Sequence, residues 1–108
     1  MASYLLIESR DPFTSGEVGF CRDLSRRLVA GGDQVTVFLV ENGVLSARSG
    51  AADAGLTELA QAGVEMLADD FSLRERGIQP DRLQPGIRPA AIDLVIDRLA
   101  EGCKAIWH

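Results

Sequence analysis

The sequence predicts an α/β domain built on a mostly parallel sheet of four to five strands, with helices on both faces. Two observations carry this. Short, nearly continuous apolar runs (Ser3 to Glu8, Gln34 to Val40, Val64 to Leu67) alternate with stretches whose apolar residues recur every three or four positions. Strands buried on both faces show the first pattern, and helices covering them show the second. Glycines or glycine pairs at Gly31-Gly32, Gly63, Gly77 and Gly102 then stop each helical stretch.

In chain order, Ser3 to Glu8 (SYLLIE) reads as the first strand and ends in the loop Ser9 to Phe13. Thr14 and Glu17 have capping-box spacing, so a helix is expected from about Ser15, with Val18, Cys21, Leu24 and Leu28 as its apolar stripe. Gln34 to Val40, rich in β-branched residues, is the clearest strand, and Asn42-Gly43 follows at its carboxyl end. Val44 to Ala54 is small and polar and reads as partly helical. Leu56, Leu59 and Ala60 mark a helix before the strand Val64 to Leu67. The loop Ala68 to Phe71 leads to a second capping box, Ser72-x-x-Glu75, and a short helix closed by Gly77.

Gln79 to Arg88, with Pro80, Pro85 and Gly86, reads as an irregular connection. Pro89 suits the first turn of a last helix, whose buried face would be Ile92, Val95, Ile96 and Leu99. Lys104 to Trp107 is expected to be a terminal strand.

Residues 1–108 read as one domain. A content of 46% hydrophobic and 25% charged residues is that of an ordinary folded protein. The net charge of −5, with Arg and Lys interleaved among Asp and Glu, argues against nucleic-acid binding. No leader pattern opens the chain and no apolar run nears a membrane span, so a cytoplasmic protein with reduced thiols is expected. Two cysteines without CxxC spacing make neither a disulfide framework nor a zinc site. No cofactor is expected.

Ligands of open parallel sheets bind outside the carboxyl ends of the strands. Three loops should meet there and bring Arg10, Asp11, Thr14, Ser15, Glu41, Asn42, Asp69, Asp70 and Ser72 together. Asp69-Asp70 could serve acid–base chemistry or hold a hard cation, but the simpler reading is that they favour the positive end of the following helix. Thr14 to Gly16 could receive an anion such as a nucleotide phosphate at a helix start, although the G-x-G-x-x-G pattern is missing. Cys21 lies on the apolar stripe and reads as a small core residue. Cys103 precedes the last strand, at the opposite edge from the expected site. His108 reads as a frayed terminus and Trp107 as core or interface.

Tyr4 to Phe13, VFLVENGV (Val37 to Val44), GVEMLADDFSLRERGI (Gly63 to Ile78) and the ending KAIWH together resemble the DsrE/DsrF-like sulfur-relay family, of the TusC/TusD type. The resemblance implies a homotrimer, a hexamer or a mixed assembly with related sulfur-relay subunits. It also implies a persulfide-accepting cysteine in the loop after the third strand. Counted back from Arg76-Gly77, that position is Asp69, and a carboxylate cannot store sulfur. The Asp-x-x-Ser-Leu-x-x-Arg-Gly arrangement from Asp69 to Gly77, apart from one residue of spacing, resembles the supporting DsrF/TusC branch. The chain's expected role is that of a non-catalytic subunit or accessory protein of sulfur-relay or sulfur-oxidation metabolism, with a degenerate pocket around Arg10, Asp11, Asn42 and Asp69 to Ser72. The alternatives are a sulfurtransferase that uses Cys103 or Cys21, and a small nucleotide- or anion-binding module.

Overall fold

A computed structural model describes residues 2–11, 18–51 and 55–108. Five strands form one sheet: β1 (Ser3–Glu8), β2 (Gln34–Leu39), β3 (Glu65–Asp69), β4 (Ile87–Ala90) and β5 (Lys104–Trp107). Their spatial order is β4-β3-β2-β1-β5, and every neighbouring pair is parallel. The helices are α1 (Val18–Ala30), α2 (Gly55–Gln61), α3 (Asp70–Glu75) and α4 (Asp93–Ala100). Glu41–Ala47 and Pro80–Arg82 are 3₁₀ turns.

The continuous apolar runs are explained by burial on both sides. Leu6, Val37, Leu39, Met66 and Ala68 point to one face, where they pack with Cys21, Leu56 and Leu59 of α1 and α2. Leu5, Ile7, Phe38 and Leu67 point to the other, where Val95 of α4 closes over them. Side chains alternate across a strand, so a strand with no polar gap must be covered twice.

Three expectations are corrected. First, the supposed irregular connection ends in a strand: Ile87–Ala90 pairs with β3, and Pro89 lies in that strand and not in a helix. Proline lacks the N–H for a ladder bond, but β4 is an edge strand and tolerates it. Second, only Val95 of the expected buried face of the last helix is buried; Ile92, Ile96 and Leu99 are exposed at 51%, 65% and 48%. Third, α3 begins at Asp70 with Asp69 as its N-cap, three residues before the Ser72 cap that the spacing suggests. The Thr14–Glu17 box and the helix start at Ser15 lie outside the described residues.

The second face carries one polar network near the amino ends. Arg98 Nη1 donates to Glu65 Oε1 and Thr36 Oγ1, both at 2.9 Å, and Arg88 Nη2 donates to Glu65 Oε2 at 2.9 Å. Burial works against the Glu65 charge, but the hydrogen bonds from Arg98 and Thr36 and the charges of Arg98 and Arg88 outweigh it and lower the carboxyl below its usual value. A depressed carboxyl stabilises the fold above its unfolded value and loses that contribution as pH falls through the folded one. Glu65→Gln is therefore expected to cost up to about 1 kcal/mol at pH 7, since solvent screens a partly exposed pair. In urea titrations that cost should shrink as the pH is taken down from 4.5.

Candidate functional site

The carboxyl ends of β1, β2 and β3 bring their loops together as the topology requires. The arrangement has two halves. On the β2–β3 side, Asp69 is only 6% exposed, and its Oδ2 accepts from Ser72 N at 3.1 Å and from Ser72 Oγ at 2.7 Å. Ser72 Oγ in turn accepts from the Glu41 backbone N–H at 2.9 Å. A relay of hydrogen bonds thus ties the loop after β2 to the start of α3. Glu41 sits at φ 51, a left-handed conformation that a glutamate adopts only when its surroundings hold it there. Asn42 Oδ1 accepts from Arg76 Nε at 3.2 Å and Nη2 at 3.1 Å, which closes the same two loops from outside.

Gly43 shows why this turn needs a glycine. A Cβ there would collide with the Glu8 carbonyl oxygen and lie 3.2 Å from its carbonyl carbon. The glycine serves close approach of two backbones.

On the β1–β5 side, Glu8 is 3% exposed at the last position of β1. Its Oε1 accepts from Arg10 N at 2.9 Å, and its Oε2 lies 2.7 Å from His108 Nδ1. His108 is not frayed. Its N–H donates to Ile7 O at 2.8 Å, its carbonyl accepts from Ser9 N at 3.0 Å, and Phe20 packs against its ring at 5.7 Å between centroids. A buried carboxylate that holds one imidazole nitrogen fixes the ring and leaves the other nitrogen for proton transfer. Neither Glu8 nor His108 was among the candidate residues. Glu8 had a signal, an acid ending an otherwise apolar run; His108 had none, because tertiary contacts alone hold it.

Cys21 lies beside Glu8. Burial first, then the Glu8 charge and a hydrogen bond with Glu8, push its thiol up to about 12; Ser25 and Arg22 oppose this only weakly. Cys21 is therefore a neutral core thiol at physiological pH. Cys103 is half-buried at the opposite edge of the sheet, in the wall of a cavity of about 600 Å³ with Tyr4, Asp33, Glu65, Arg98 and Glu101.

Of the remaining candidates, Asp11 is buried and Arg10 exposed, and both have partners in the fold. Asp70 faces outward, 3.8 Å from Arg74. Thr14 lies outside the described residues, as does the supposed anion site at Thr14 to Gly16. Trp107 is 64% exposed, so it is not a core residue. Among the described residues, no group of three or more His, Cys, Asp or Glu side chains could hold a metal ion. No helix among them is long and apolar enough to cross a membrane.

No family model and no curated protein matches the chain. Solved structures do. The ychN protein from E. coli superposes with a TM-score of 0.90 at 15% identity over 100% of both chains. MTH1491 from Methanobacterium thermoautotrophicum, described as a protein of unknown function, superposes with a TM-score of 0.84 at 22% identity over 99% of this chain and 98% of its own. At such identities the likeness establishes the fold alone. The chain has the five-stranded, all-parallel α/β fold of these structures.

Proposed function

We propose that the protein is a non-catalytic, DsrE/DsrF-like subunit or accessory protein of cytoplasmic sulfur-relay metabolism, acting through assembly with its own copies or with related subunits. One observation carries this reading. The position where the resembled family keeps its sulfur-accepting cysteine is Asp69, and that side chain is committed to capping α3 and receiving Ser72. The two thiols support it further, since Cys21 is buried and neutral and Cys103 sits at the far edge. Persulfide transfer needs an accessible thiolate at the site.

The test is thiol chemistry on the native protein. Cys21 is expected to alkylate roughly 10³-fold more slowly than a free cysteine at pH 8, because so little of it is thiolate. Treatment with a cysteine desulfurase and cysteine should add no stable sulfur by native mass spectrometry, while the native mass should exceed that of one chain. A sulfur adduct lost in Cys103→Ser would overturn the proposal in favour of a carrier that uses Cys103, the reading favoured by that residue's partial exposure beside the amino-end cavity.

A further inference from the structure

On the second face of the sheet, α4 is only eight residues long and turns part of its apolar content outward. Ile92, Ile96 and Leu99 are spaced by four and three residues, so they share one side of the helix. All three are about half or more exposed. A parallel sheet ordinarily has both faces covered, and an apolar stripe left outside the covering helix marks an interaction surface.

The edge beside that stripe names the occupant. Asp93, Asp97 and Glu101 recur every four residues along the neighbouring side, and all are exposed. Neither Asp93 nor Asp97 forms an ion pair among the described residues. At its far end the acidic line reaches the amino-end cavity, whose wall Glu101 shares with Asp33 and the Glu65–Arg98 pair. Asp33, Glu65 and Glu101 against Arg98 leave that wall at two net negative charges (three minus one).

From this pairing of an apolar stripe with an acidic edge, we propose that α4 docks a basic amphipathic helix of a partner protein. Leucine-like side chains would cover Ile92, Ile96 and Leu99, and Lys or Arg would lie along Asp93, Asp97 and Glu101. A second copy fits poorly. Packed antiparallel on the same stripe, two copies would lay one acidic line along the other, and each chain carries a net charge of −5. An anionic membrane is disfavoured by the same charges. This inference concerns a face away from the carboxyl-end loops and stands or falls apart from the sulfur-relay reading, which the thiol chemistry tests.

The experiment is selection of a display library of amphipathic helices of about 16 residues, randomised at the positions flanking the apolar stripe, against the whole chain. Enrichment of Lys and Arg at the flanks supports the proposal, provided that the selected peptides weaken at least tenfold against Ile96→Asp and against Asp93→Asn/Asp97→Asn, and that binding falls with added salt. Both variants change exposed side chains, and circular dichroism checks that they fold. Selection without charge preference, or equal binding to Ile96→Asp, overturns it. So does an assembly of the wild-type chain by native mass spectrometry that Ile96→Asp takes apart, because a second copy would then cover α4.

Discussion

Asp69→Ala is expected to lower stability by about 3 kcal/mol, the sum of a lost helix cap and a lost charge-assisted hydrogen bond from a buried hydroxyl. The Asp69 carboxylate takes both the N–H and the hydroxyl of Ser72, and that hydroxyl receives the Glu41 N–H. Alanine leaves the hydroxyl without its acceptor and frees Glu41, whose left-handed backbone has little other reason to persist. Asp69→Asn should behave differently. It keeps an oxygen for Ser72 and removes a buried charge whose second oxygen, Oδ1, has no hydrogen-bond partner among the described residues, so its effect should stay within about 1 kcal/mol.

Urea denaturation of the two variants side by side separates the contributions. If alanine cost no more than asparagine, the relay through Ser72 would not be what joins the loops. Asp69→Cys is informative for function: it supplies a thiol but loses the cap, so it should melt early, and at a position only 6% exposed it should label slowly while the chain is folded. A thiol alone would not rebuild a sulfur-accepting site, because the loop around position 69 is organised by a carboxylate.

The architecture was legible because its signals are local. Leu5 to Ile7 and Val37 to Val40 have no polar break, and only a strand covered on both faces requires that. Glycine stops placed the helix ends, as at Gly77, which has φ 68. What was not legible depended on neighbours. Ile87–Ala90 is too short and proline-marked to read as a strand; it exists because β3 presents a free edge to it. Ile92, Ile96 and Leu99 have the spacing of a core stripe, and periodicity cannot say whether its partner is in the same chain.

The candidate site divided in the same way. Asn42, Asp69 and Ser72 were found because they lie in loops at strand ends, where topology alone brings them together. Its sequence position suits Asp69 to be a reactive carboxylate or a helix-start acid, and the second role is the one it fills. In the sequence Glu8 reads only as the last residue of an apolar run, yet burial of a carboxylate demands a partner, and that demand is what fixes His108. A histidine without sequence context gives no such hint.

Gly43→Ala should cost about 2–3 kcal/mol, and Gly43→Val more, through overpacking with no route for relief. The obstacle is backbone: the added Cβ meets the carbonyl of Glu8 and, at 3.5 Å, the Cα of Ser9. A flexible side chain could swing aside, but the last peptide of β1 is held in place by the Val40 N–H, which donates to Glu8 O at 3.0 Å. The loop after β2 would have to move outward, away from β1. Because Ser9 also binds the His108 carbonyl, the displacement should reach the Glu8–His108 pair, which lies on the other half of the site. Amide exchange at Ser9 and His108 is therefore expected to accelerate in Gly43→Ala, alongside the lowered denaturation midpoint. A destabilised variant whose Ser9 and His108 amides kept their relative protection would mean that the two halves are independent. The Asn42-Gly43-Val44 turn would then be a packing device for β2 alone, and not the joint between two parts of one site.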